Sequence, residues 1–125
     1  MSTRPRRRAD HGQATVELAL ALPLVCVLLC AVVQVAVIGR SQLAVQLAAR
    51  EAARAAAVSA DPVGAGVTAA HRAVALRPLS VEISEAGGTV TATVRYTDRT
   101  EVALAGALLP NVELSATVTM AVEPP

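Results

Sequence analysis

The chain has 125 residues, 54% of them apolar, yet it contains no Phe or Trp and only one Tyr, Tyr96, so any core must be built from Val, Leu and Ala and an aromatic-lined ligand pocket or sugar platform is not on offer. Its formal net charge is +1 and every basic residue is Arg, but from Ser59 onward four Arg face seven Asp and Glu (4 − 7 = −3), which removes the basic footprint that DNA or RNA binding would need. The length accommodates one membrane helix and one small domain.

Met1 to Gly12 is a polar leader with Arg4, Arg6, Arg7 and Arg8 and no apolar periodicity, the composition of a disordered segment. A helix is predicted from about Gln13. The stretch Gly12-Gln13-Ala14-Thr15-Val16-Glu17 leads into an uncharged run from Leu18 to Gly39. These 22 residues cover ~33 Å as a helix, enough for a hydrocarbon core of ~30 Å. The run is too long for the h-region of a cleaved secretory signal, and small residues at −3 and −1 do not occur together at its end. Four Arg precede it, opposed only by Asp10, whereas Arg40, Arg50, Glu51 and Arg54 follow more sparsely. The positive-inside bias therefore predicts a cytoplasmic N-terminus and an extracytoplasmic C-terminal domain in the cell membrane, crossed once.

Cys26 and Cys30 both lie inside the run, so the exported part has no disulfide framework. Their spacing puts them on one helical face, as small apolar side chains or as packing residues between helices. Lipobox processing would need a small residue before the cysteine, and Val25 and Leu29 stand there instead. Gln34 is either an interhelical hydrogen-bonding group or a tolerated amide. Pro23 withholds one backbone N–H, so a bend or loosened turn is expected there.

A glycine five positions before a glutamate, after an Arg-rich leader, resembles the class III signal of type IV pilins and pseudopilins. The sequence Gly-Gln-Ala-Thr-Val-Glu-Leu-Ala, followed by Leu22-Pro23 and a second Leu/Val block, is more narrowly similar to the TadE-like family of tight-adherence (Flp) pilus systems. Leu18 stands where that family often has Phe, and Gln13 where many pilins have Phe or Met. The resemblance implies a membrane-anchored minor pilin or pseudopilin cut by a prepilin-type peptidase between Gly12 and Gln13. Its implied partners are other pilin-like Tad subunits, inner-membrane platform proteins and membrane lipid. Cleavage would leave an α-amine on Gln13 about one turn from Glu17, and Glu17 would pair with that amine, its own or a neighbour's, during assembly. Read without the family, Glu17 is a first-turn acid favoured by the helix dipole by ~0.3–1 kcal/mol.

Past the span, strong helix formers carry the helix to about Val58. The cluster from Ser59 to Gly66 breaks it, with Asp61 as N-cap and Pro62 as first residue of a second helix ending near Leu76, just before Arg77-Pro78. The period then changes to two. Val81 and Ile83, then Val90, Ala92, Val94 and Tyr96, then Val112, Leu114, Ala116, Val118, Met120 and Val122 alternate with polar residues as three half-buried strands. Paired glycines at Gly87 and Gly88 turn the first strand antiparallel into the second. The connector from Thr97 to Asn111 is read as a short helix over Val102 to Leu109. The predicted organisation is a leader (1–12), a transmembrane and extended helix (13–58, span about 18–39) and a small extracytoplasmic domain (59–125). The fold class is α+β, with the helices covering an antiparallel sheet.

Chemistry is sparse. His11 lies in the leader and His71 on a predicted helix surface, too few ligands for a metal site. Glu82 and Glu85 on either side of a turn could suggest paired carboxylates, but nothing basic, nucleophilic or aromatic is expected beside them and a solvated strand face explains them better. With no phosphate loop and no Ser/His/Asp arrangement, the chain reads as a non-enzyme without cofactor or metal that acts by packing. The alternatives are an unprocessed single-pass anchor or docking protein, and a signal-anchored exported binding domain.

Overall fold

The computed structural model describes residues 7–98 and 111–124, in five elements: α1 (Arg7–Ala57), α2 (Pro62–Ala73), β1 (Leu79–Ala86), β2 (Thr89–Asp98) and β3 (Val112–Ala121). This is the expected α+β fold. By its contacts the chain divides into two units, residues 1–38 and 39–125.

Residues 12–57 of α1 make a helix long and apolar enough to cross a membrane. All thirteen Val and Leu side chains from Val16 to Val37 are exposed, by 47% to 74%. Burying one such side chain is worth roughly 1.5–3 kcal/mol, so this surface calls for an apolar surrounding that the first unit does not itself supply. The helix starts at Arg7, earlier than the expected Gln13, so residues 7–12 of the predicted disordered leader are helical. Arg and Ala are good helix formers, and Asp10 in the first turn complements the dipole. The helix is uninterrupted at Pro23.

The second unit has helices on one face of a three-stranded sheet. Along the later part of α1, Val45, Ala48, Ala49, Ala52, Ala53 and Ala56 recur at helical spacing and are all buried. Alanine here permits close approach. Gly66 of α2 sits so near α1 that a Cβ on it would stand 3.2 Å from the Ala52 carbonyl oxygen and 2.8 Å from Cδ1 of Ile83 on β1. Asp61 caps α2 as expected, its Oδ1 accepting from the Gly64 N–H at 3.1 Å, and Pro62 opens the helix.

The end of α2 comes three residues before the predicted Leu76. Val74 is already extended (φ −139°, ψ 151°), and the Arg77 guanidinium donates to the carbonyls of His71, Val74 and Leu76. That side chain satisfies carbonyls a further turn would otherwise have used.

The sheet order is β1-β2-β3, antiparallel throughout. Ala86 pairs with Thr89 across Gly87 (φ 57°) and Gly88 (φ 76°), a two-residue turn whose positive φ at both centres suits glycine. The predicted alternation holds: Val90, Ala92, Val94 and Leu114 are buried, while Ser80, Glu82, Ser84, Thr91, Thr93, Arg95, Glu113, Ser115, Thr117 and Thr119 take the outer face, Glu85 at the end of β1 being an exception. Thr97 and Asp98, assigned by sequence to the connector, extend β2, where Thr97 pairs with Glu113 and Asp98 with Val112. The expected short helix over Val102 to Leu109 lies outside the described residues, as do residues 1–6 of the leader.

Among the described residues, two hydrogen bonds tie α1 to β3 and to the segment just after it. The Gln42 amide donates to the Ser115 carbonyl at 3.2 Å, and the Glu123 N–H donates to the Ala57 carbonyl at 3.3 Å. Fifteen helical residues rise ~22 Å and eight extended residues ~26 Å, so β3 runs alongside α1 in the same direction.

Candidate functional site

The three residues singled out by sequence, Gly12, Gln13 and Glu17, all lie on α1 and are all exposed. Gln13 and Glu17 are four residues apart, hence on one helical face and one turn, ~6 Å, from each other along the axis. Among the described residues, nothing lies within 4 Å of where a Cβ on Gly12 would be, so its lack of a side chain serves no packing among them. In an exposed turn glycine costs a helix ~1 kcal/mol relative to Ala, which makes the backbone around Gly12 easier to unwind than its surroundings. Glu17 stands at the mouth of the apolar run. The arrangement presents a glycine, a polar residue and a carboxylate along one open stretch of helix, suited to recognition of backbone and charge.

Cys26 and Cys30 are both exposed free thiols one turn apart, and Gln34 is half-buried. Among the described residues, His, Cys, Asp and Glu do not gather in groups of three or more.

Other residues differ from their sequence reading. His71 is half-buried, with its Nδ1 shielded from solvent and, among the described residues, without a hydrogen-bond partner. Glu82 and Glu85 do not flank a turn as a pair: both lie on β1, on opposite faces, with Glu82 opposite Thr93 and Glu85 opposite Val90. A base does accompany Glu82, since Arg95 lies 3.8 Å from it and 4.0 Å from Glu113, bridging all three strands on the outer face. These ion pairs are solvent-exposed and worth little individually. Sequence reading missed Arg95 because the bridge is diagonal across strands, legible only once the register is fixed. It missed Gln42 for the same reason; a polar residue on an otherwise small-residue face was its only mark.

Neither a curated protein nor a solved structure matches the chain. The family model described as TadE-like protein does match, over residues 12–54. That segment begins at the glycine of the Gly12 to Glu17 stretch, includes the whole apolar run and ends within the Ala-rich face of α1. Residues 12–54 are thus similar to the TadE-like family, in agreement with the family that the Gly12 to Pro23 motif resembles.

Proposed function

We propose that this protein is a membrane-anchored, pilin-like structural subunit that serves the assembly of a tight-adherence (Flp-type) pilus or a related secretion apparatus. The observation that supports this best is the coincidence of three features in one matched segment: Gly12 and Glu17 five residues apart, an apolar helix that follows directly, and the TadE-like match that starts at Gly12. In this reading a prepilin-type peptidase cuts between Gly12 and Gln13. Glu17 then pairs with the new amine of Gln13 as subunits enter a helix bundle, where a low dielectric strengthens the attraction. The protein works by packing, without turnover. Its partners are other pilin-like subunits, platform proteins of the inner membrane and lipid.

The arginine cluster before the span sets the orientation, with the leader in the cytoplasm and the second unit outside. A reporter active only outside the cytoplasm, fused after Pro125, is expected to be active. Replacing Arg6, Arg7 and Arg8 together by Glu is expected to shift a measurable fraction of the reporter to the cytoplasmic side. Activity of the unaltered fusion confined to the cytoplasm would overturn the proposal, because the assembling domain would then face the wrong compartment.

A further inference from the structure

The second unit carries opposite charge on opposite sides. On α1, Arg40, Arg50 and Arg54 share with Leu43 and Leu47 the helical face that points away from the buried alanines, and all five side chains are exposed. Among the described residues none of these three arginines forms an ion pair; Glu51, half-buried, sits at the border of the face. The far side of the unit is the outer face of the sheet. There Arg95 is shared by Glu82 and Glu113, leaving one negative charge unbalanced, and Glu123 lies exposed just beyond β3. Between them the face is flat and small, with Thr91 bonded to Thr119 at 3.0 Å and Thr93 to Thr117 at 3.3 Å. Threonine methyl groups offer Leu43 and Leu47 an apolar floor.

We infer that the arginine face of α1 in one copy packs on the outer sheet face of the next copy, front to back. The contact rests on the assembly reading above and gives it a specific geometry. Two other occupants fit less well. Two copies meeting through the same α1 face would bring six arginines together. A lipid headgroup layer, ~5–7 Å deep on each side of the hydrocarbon, lies too close to the span to reach Arg50 and Arg54, ~16 and ~22 Å along the helix beyond Gly39. Heights match for a second copy: Gln42 is level with Ser115 and Ala57 with Glu123 in each copy. With α1 helices parallel, Arg40 therefore meets the level of Glu113, and Arg54 that of Glu123. A front-to-back contact is heterologous, so it closes into a ring or continues as a filament.

The test is cysteine cross-linking of the full chain in membranes, in a Cys26→Ser, Cys30→Ser background with copper–phenanthroline as oxidant. Gln46→Cys and Thr117→Cys, both at exposed positions level with one another, are combined in one chain. The expected result is a ladder of dimer, trimer and higher species, with no cross-link from either cysteine alone. Adding Arg40→Glu and Arg54→Glu is expected to cut the ladder at least fivefold, and adding Glu113→Arg and Glu123→Arg on top to restore it. Dimers from Gln46→Cys alone, or a ladder indifferent to the charge reversals, would overturn the inference. Native gels separate its failure from that of the assembly reading: oligomers without a ladder contradict this contact only, whereas monomers without a ladder contradict both.

Discussion

Gly66→Leu is expected to unfold or loosen the second unit, lowering its stability by ~3 kcal/mol or more. A Cβ alone at this position would stand 2.8 Å from Cδ1 and 3.0 Å from Cγ1 of Ile83, and 3.2 Å from the carbonyl oxygen of Ala52. The isoleucine tip can rotate, but the carbonyl belongs to the backbone of α1 and cannot move without shifting the helix. Overpacking commonly costs ~1–3 kcal/mol, and a leucine adds three further carbon atoms to a Cβ that is already too close. Against a core made largely of alanine and valine, such a loss is a large fraction of the total. Gly66→Ala is expected to be much milder, because alanine favours the helix by ~1 kcal/mol over glycine and partly offsets the tight contact. Half-buried Tyr96, the single aromatic residue, provides the fluorescence to follow urea unfolding in detergent. Equal urea midpoints for wild type and Gly66→Leu would contradict the close approach of α2 to α1.

The second large effect belongs to Glu17→Gln, which keeps size and most hydrogen bonding while removing the charge. The helix starts at Arg7, so Glu17 is not the first-turn acid expected from sequence; if it is only an exposed acid beyond the reach of the helix dipole, the loss is small and assembly continues. If it pairs with the Gln13 amine of a neighbour, two unit charges ~4 Å apart attract by ~4 kcal/mol at an effective dielectric of 20, and losing even a third of this reduces association tenfold. The account expects the variant to insert and be processed normally while cross-linking to partner subunits in the membrane falls at least tenfold. Wild-type cross-linking would leave Glu17 an ordinary exposed acid of α1.

Local physics made much of this fold legible in the sequence. The apolar run, the Asp61-Pro62 helix start, the Gly87-Gly88 turn and the alternation of all three strands depend on residues within a few positions of each other, and each has its expected structural form. What sequence missed depends on tertiary approach. Gly66 reads as loop punctuation until α2 is laid against Ala52 and Ile83. The apolar pattern through Val74 and Leu76 suggests a longer helix until Arg77 folds back onto the carbonyls. His71 reads as a surface residue, yet it is half-buried with its Nδ1 shielded from solvent. At the candidate site the situation is different: Gly12, Gln13 and Glu17 are singled out by the resemblance of their stretch to the pilin signal, and the structure shows them exposed on α1.

The most direct measurement of the central claim is the intact mass of the protein extracted from membranes of cells that carry the matching prepilin-type peptidase. The account predicts a mature chain that begins at Gln13. Loss of Arg4, Arg6, Arg7, Arg8 and Asp10 takes the formal charge from +1 to 1 − 4 + 1 = −2, a shift visible on isoelectric focusing. Gly12→Val, with a β-branched side chain at the cut, is expected to retain the full leader and the charge of +1. A wild-type chain that keeps its leader, or a Gly12→Val chain trimmed as wild type, would contradict the account.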